Sequence, residues 1–593
     1  MGGGLFNEVK RRKVLQAAAA YAVAGWLLIQ VAVTLKGALD LPARVDTWVT
    51  IAVIVGFAPM VVFAWLFDAS LAGIRLTRPR VADALSEGSS LPGPVAAPPP
   101  KHSIAVLPFS DMSAGGDQAY LGDGVAEEIL NALVKVTPLK VSGRTSSFSF
   151  KGRDLTVSQI GDALGVAYVL EGSVRKQGEK VRITAQLIQT SDGFHVWSQS
   201  YDGALTDIFD LQDSIARAIV SELEVLLHVD QIRLVARMTT SPQAYDAFLK
   251  GRKLAQVQEG QGVLARAVEH LEEAVRLDPR FALAWAWLAN ANFYLPEHND
   301  VPDWKSYLEA GKKAAHQAFK LDPDLSDANF ALSYARLLEL DLPGQWEARK
   351  RAHELDPASV PAMHEFGMAY GLMGLFEEAY PYIEKSIVND PFSPSFTGAL
   401  GIYQWALGDP AAASASFDRT IALGWLLVAI SKAQMIAASG RRSDAYHFLM
   451  TAFRDHAKEV PPEFRSRMVQ WLFSLAVTKE TGWAKALVWI GTKRDVGNPR
   501  KMSSLSFKAT LLLLGEAQAF FSEVRNRPNT YLSGALMNLW IPTESARKVR
   551  THPDFPRFAE DIGLVRCWQI HGWPPQVRPE PGTDGSNLQF SCS

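Results

Sequence analysis

Asp-Pro pairs recur along the middle of the chain at Asp278-Pro279, Asp322-Pro323, Asp356-Pro357 and Asp390-Pro391, and the last two intervals are 34 residues each. A fixed period of roughly 20–50 residues marks a stack of supersecondary units, none of which can bury its apolar face alone. The first interval is 44 residues, and YLPEHNDVPDW, Tyr294 to Trp304, supplies the extra length in the loop between two helices. In the unit from His364 to Pro391, Phe366, Gly367 and Tyr370 fall on a first helix, and Ala379, Ile383 and Pro391 on a second helix and its turn. Small residues let paired helices approach, larger ones fill the space, and proline stops the helix before the next unit. The spacing of His364 and of the carboxylates Glu377 and Glu378 therefore follows from the repeat. His364 is expected on the surface of its helix, and the two glutamates near a helix start, where they favour the dipole.

Thirty-four residues is the tetratricopeptide period, and these small and large positions resemble that family. About five units are expected within 241–427, with degenerate helical repeats or a cap over 428–575 and a disordered tail over 576–593. The third unit departs from the family pattern, with Arg336 and Gln345 where an aromatic and a small residue are preferred, which predicts looser packing. Repeats of this kind bury one face and present the other. Counted in the family's repeat positions, the resemblance places Asn290, Phe330, Tyr334, His364 and Met368 along a concave surface with Tyr294 beside them. Aromatics and methionine there suit a partly apolar peptide. The lysine and asparagine clamp that some relatives use for a terminal carboxylate is not evident, so an internal or helical segment is the expected ligand.

Upstream, residues 14–35 and 48–67 are two uncharged apolar runs, each long enough to cross a bilayer of about 30 Å as a helix. Lys10, Arg11, Arg12 and Lys13 precede the first and Arg75, Arg78 and Arg80 follow the second, which predicts a hairpin with both ends in the cytoplasm. Residues 81–102 read as a Pro/Ala-rich linker.

Between linker and repeats, 103–230 alternate strand and helix signals. IAVLPF reads as a buried strand, YLGDGVAEEILNALVKV as an amphipathic helix and LKVSG as a second strand. Thr156 and Gln159 have capping-box spacing before a helix that Gly165 stops. Turns at Gln177-Gly178 and Asp192-Gly193 then divide a three-stranded antiparallel meander. The phrases DGVAEEIL, RTSSFSFKG, GVAYVLEGSVRKQG and VRITAQLIQTSDGFHVW resemble the TolB amino-terminal-like domain of bacterial membrane proteins with tetratricopeptide repeats. In such relatives the domain accompanies winged-helix or class III adenylate cyclase domains, for which this chain has no matching stretch. The resemblance extends to the hairpin and implies a multi-pass protein of the bacterial inner membrane, with its bulk in the cytoplasm. Arg144, Thr145, Ser146, Ser147, Lys151 and Arg153 form a donor-rich loop that could hold a phosphate or another small anion; the other reading is that its hydroxyls cap turns and its cations are solvated.

The expected fold class is thus multidomain: a two-helix transmembrane hairpin, an α/β TolB amino-terminal-like module and an all-α tetratricopeptide repeat superhelix. With 60 Lys plus Arg against 62 Asp plus Glu, the chain has no basic excess for nucleic acid. Cys567 and Cys592 form neither a metal cluster nor a disulfide framework, and no Walker, His-Glu-x-x-His or Gly-x-Ser-x-Gly motif is present. The expected function is a non-catalytic, membrane-tethered scaffold without cofactor or metal, binding a protein or peptide in the repeat groove and the lipid bilayer through the hairpin. The alternative is a sensor whose α/β module binds an anion. Homo-oligomerisation is left open.

Overall fold

The computed structural model describes residues 67–70, 73–76, 99–136, 139–223, 238–257, 262–298, 303–426, 428–456, 508, 511–512, 515–526, 528, 532–580 and 589–592. The chain divides into two units, Met1–Val95 and Ala96–Ser593.

In the first unit, β1 (Phe67–Ser70) pairs antiparallel with β2 (Gly73–Leu76). The expected membrane spans lie outside the described residues except for Phe67, which opens a strand instead of closing a helix. Among the described residues no helix is long and apolar enough to cross a membrane. The expected fold class, led by a transmembrane hairpin, is corrected to helical repeats with a small mixed sheet, and the multi-pass inner-membrane location and the bilayer partner are withdrawn with it. The physical reason is visible in the helices themselves: their apolar residues form stripes that pack on neighbours. Leu264, Ala267, Val268, Leu271, Ala274 and Val275 are buried on one helix whose other side is charged.

The second unit opens with β3 (Ser103–Val106), β4 (Ser110–Asp111), α1 (Ala119–Val134), β5 (Lys140–Val141), α2 (Arg144–Phe148) and α3 (Val157–Leu164). β6 (Tyr168–Gln177), β7 (Lys180–Gln189), β8 (His195–Ala204) and α4 (Ile208–Glu222) complete the module. The sheet order is β5-β3-β6-β7-β8, with β4 also on β6. β3 runs parallel to β5 and β6, and β6, β7 and β8 form the antiparallel meander. Thr156 caps α3 with both halves of a capping box, and Gly165 ends it in the left-handed region at φ 64°. α1 and α4 cover one sheet face, so Ile104, Leu121, Val125, Ile129, Ile183, Leu187, Ile215 and Ile219 are fully buried.

The repeats follow as helix pairs: α5 (Pro242–Val257) with α6 (Val263–Leu277), α7 (Ala282–His298) with α8 (Trp304–Leu321), and α9 (Ser326–Leu338) with α10 (Leu342–Leu355). Next come α11 (Val360–Leu372) with α12 (Phe376–Asn389), α13 (Pro394–Ala406) with α14 (Pro410–Ala422), and α15 (Val428–Ala438) with α16 (Arg442–His456). Glycine makes the close fits within pairs. A Cβ on Gly401 would lie 2.4 Å from Phe417, and one on Gly311 2.5 Å from Phe293. The extra length of the second pair does not sit in a loop alone, because α7 and α8 have 17 and 18 residues against 13 and 14 in α11 and α12. The insertion is largely absorbed as one more turn on each helix. Gly374 and Gly408 end first helices with φ of 81° and 87°, while Leu340 holds the same place in the third pair at φ 59°. A branched side chain there is strained, in keeping with that unit's departure from the pattern.

Downstream lie α17 (Ala517–Asn526), α18 (Leu532–Met537), α19 (Glu544–Arg550), α20 (Phe555–Asp561) and α21 (Leu564–His571). This segment packs along the flank of the stack: the indoles of Trp540 and Trp568 donate to the carbonyls of Leu372 and Met373, each at 2.9 Å. Those carbonyls close α11 and have no partner within it. Where the sequence predicts a disordered tail, β9 (Val577–Glu580) pairs with β10 (Gln589–Cys592), and Phe590 packs edge-on against Trp568. Apolar Val577 and Phe590 supply the anchor that the charged and Pro/Gly-rich composition conceals.

Candidate functional site

The six residues expected to line a groove divide into three environments. Tyr294 on α7 and Phe330 and Tyr334 on α9 form one cluster, with Phe330 5.2 Å and Tyr294 6.1 Å from Tyr334, both edge-on. Asn290, one turn before Tyr294, is buried. Tyr334 is only 8% exposed. Burial, with Glu365 adding to it, pushes its phenol pKa well above the ordinary value, and the Arg349 guanidinium lies over its ring. Met368 on α11 is half-buried, with its sulfur 3.7 Å from the Tyr403 hydroxyl.

His364 is corrected from surface to core. It is 4% exposed, stacked 4.2 Å from Phe396, with Nδ1 3.3 Å from the Ser386 hydroxyl. Burial, helped by the charge of Arg349, lowers its pKa to about 3, so the ring is neutral. Counting positions within a repeat gives the helix face, but the next first helix covers that face at His364. Of the six, Tyr294, Phe330 and Met368 keep partial exposure, while Asn290, Tyr334 and His364 are packing residues.

The donor-rich loop is a clasp on the chain's own carboxylates. Asp390, the aspartate of the fourth Asp-Pro pair, accepts from the Ser146 amide at 2.6 Å and from the Ser146 hydroxyl, and Thr145 donates to it as well. Gly143 donates its amide to the Asn389 carbonyl at 2.7 Å, and Phe392 donates to the Ser146 hydroxyl at 2.9 Å. A side chain on Gly143 would put its Cβ 2.4 Å from that of Asp390, so only glycine permits this approach. Arg144 binds Glu127 at 2.9 Å and Gln256 at 2.6 Å, Lys151 pairs with Asp123, and Arg153 lies over the Phe150 ring. Ser147 is fully buried, its hydroxyl nearest the Ser142 carbonyl. The carboxylates that engage the loop's donors are the chain's own: Asp390, Glu127 and Asp123.

The same edge carries a buried ionic network that the motif reading missed. Arg252 on α5 pairs with Glu128 on α1 at 2.8 Å and lies 3.8 Å from Glu127, while Asp123 pairs with Lys253 as well as Lys151. Burial alone would raise the Glu127 pKa, yet Arg252 and Arg144 hold it below the ordinary value. At Glu128 burial outweighs Arg252 and the pKa is raised. Burial also raises Asp327, at the start of α9, to about 6, against the opposing charge of Arg252. Asp123, Glu127 and Glu128 in a helix buried on nearly every side were the available signal, since a buried carboxylate needs a partner.

A recess of about 310 Å³ opens between the module and the first repeat, lined in part by Lys176, Asp246, Lys250 and His270. Asp246 already holds both lysines, at 3.0 and 2.7 Å, and accepts from the Tyr120 hydroxyl. Among the described residues no group of three or more His, Cys, Asp or Glu is arranged to hold a metal ion.

Residues 100–218 match the family described as HilA/YgeH-like transcriptional regulator, second domain. A putative adenylate cyclase 3 of Rhizobium meliloti (strain 1021) is 40% identical over 204 residues, covering 33% of this chain and 34% of that protein. The chain thus matches about a third of that relative's length. Among solved structures, TTC0263, a thermophilic TPR protein of Thermus thermophilus, is 17% identical over 33% of this chain and 99% of its own, with a TM-score of 0.27. YrrB, a TPR protein with an unusual peptide-binding site, is 20% identical over 33% of this chain and 92% of its own, with a TM-score of 0.23.

Proposed function

We propose that this chain is a non-catalytic scaffold in which the α/β module braces one edge of the repeat stack and the inner side of α7, α9 and α11 receives a segment of a protein partner. The observation that carries this reading is a contrast in availability. Tyr294, Phe330 and Met368 keep apolar surface open along successive first helices. The cations and hydroxyls that would serve a small anionic ligand are engaged by Asp123, Glu127 and Asp390. Half-exposed aromatics and a methionine on a preformed helical surface suit an amphipathic segment read at helical spacing. The sensor alternative loses its donors to the fold and is not favoured.

A photo-crosslinking residue placed at Phe330 or Met368 should capture one defined protein partner, and the same residue at exposed Arg276 should not. Phe330→Ala with Met368→Ala should reduce capture by roughly tenfold or more, as for a hot-spot pair of about 1–3 kcal/mol, while leaving helicity unchanged. Equal capture from Phe330 and Arg276 would overturn the groove. On the scaffold reading the full chain converts no ATP to cyclic AMP, the activity named for the relative, and turnover above a no-protein control would refute the non-catalytic assignment.

A further inference from the structure

The mixed sheet ends on β8, and among the described residues no strand pairs with its outer edge. This edge is ten residues long and contains neither lysine nor proline, the residues that commonly protect exposed edges. Its orientation follows from one bond. The Leu205 amide donates to the Glu179 carbonyl at 2.8 Å, which makes those two residues a hydrogen-bonded pair of the antiparallel ladder. Alternation then directs the backbone groups of Trp197, Gln199, Tyr201 and Gly203 toward β7 and those of Ser198, Ser200 and Asp202 outward. Side chains alternate in the same way, so Trp197, Gln199 and Tyr201 share the face toward the core, where the two aromatic rings lie 6.4 Å apart.

Residues 197–201 read Trp-Ser-Gln-Ser-Tyr, a palindrome of residue type about Gln199. Such a strand is complementary to itself when a second copy lies antiparallel about a two-fold axis. Ser198 of one copy then meets Ser200 of the other as hydrogen-bonded pairs, in step with the backbone groups that face outward. Trp197 of one copy meets Tyr201 of the other as non-hydrogen-bonded pairs, where side chains approach most closely and aromatic contacts contribute most. No like charges meet: Asp202 falls opposite Val196 and is already bonded to Arg182 at 2.7 Å.

We propose that β8 pairs with β8 of a second copy of this chain, antiparallel and centred on Gln199, so that one sheet continues across a two-fold axis. Sedimentation velocity on the purified full chain should show a dimer. Ser198→Pro removes an outward amide while leaving the bonds to β7 in place, and should give a monomer with unchanged circular dichroism and melting temperature. Should that variant misfold, a mixing experiment decides: Ser198→Asp/Ser200→Asp and Ser198→Lys/Ser200→Lys should each be monomeric alone and form a mixed dimer together. In a Cys592→Ser background, Gln199→Cys should form an interchain disulfide on mild oxidation and Asp192→Cys should not. A monomeric wild type, a dimer indifferent to both charge variants, or a dimer that Gln199→Cys fails to crosslink would each overturn the proposal.

Discussion

Replacing Arg252 with alanine tests whether the α/β module and the first repeat form one unit. The change strips Glu128 of its 2.8 Å partner, while Glu127 keeps Arg144 at 2.9 Å and Gln256 at 3.1 Å. One buried carboxylate, not two, is therefore left unpaired. Removing one member of a buried pair costs about 3–5 kcal/mol. Glu128 can limit that cost by taking up a proton, toward which burial already biases it. The defect should therefore grow with pH, by at most about 1.4 kcal/mol per unit above the pKa that Glu128 acquires in the variant. Hydrogen–deuterium exchange on the full chain reads the effect locally. α1 and α5 should lose protection together, by roughly two to three and a half powers of ten at about 1.4 kcal/mol per tenfold, while α17 to α21 are unaffected. Adding Glu128→Gln to the Arg252→Ala variant replaces the unpaired charge with a neutral amide and should recover at least half of the lost protection. If Arg252→Ala changes exchange in α1 and α5 by less than about threefold, or if Glu128→Gln deepens the defect, the network does not hold the two parts together.

Asp327 has a pKa of about 6 in the folded chain, above the roughly 3.9 of an unfolded aspartate. Its protonation therefore favours folding, and the stability it contributes at low pH is lost as pH rises through 6. Asp327→Asn should exceed wild type by about 1–2 kcal/mol near pH 8, after allowance for partial solvent screening, and match it near pH 4, as measured by chemical denaturation at both values. Gly408→Ala faces open space and should cost only about 1–2 kcal/mol for its left-handed backbone. Gly374→Ala has the same backbone, but its Cβ would lie 2.8 Å from Trp540, and it should cost a further 1–3 kcal/mol or so; equal melting temperatures would mean that Trp540 does not dock there. Asp390→Ala removes the acceptor of the clasp, worth about 1.5–3 kcal/mol for hydrogen bonds to a charged group. Exchange should rise across 143–150 and stay level in α17 to α21, and a uniform change would contradict a local clasp.

Features decided within a few residues were legible in the sequence. Thr156 and Gln159 close a capping box three positions apart, Gly178 and Gly193 take the left-handed turns that divide the meander, and the Asp-Pro period marks the helix pairs. What was not legible depends on contacts across long stretches of chain. His364 is buried because Phe396, from the next repeat, lies on it, and Glu128 is tolerated because Arg252, 124 residues away, reaches it. Trp540 and Trp568 reach carbonyls of α11 from 168 and 195 residues downstream. The loop from Arg144 to Arg153 brings both lessons to bear on function. Its composition supplies donors for an anion, but composition cannot say whether their acceptor is a ligand or Asp390. Because the charge-assisted bonds are made within the fold, an external anion would have to displace a carboxylate already in place, at a cost set by that carboxylate's own contacts. The apolar surface around Tyr294, Phe330 and Met368 carries no such penalty, and for that reason the binding surface we propose lies on the helices and not on the loop.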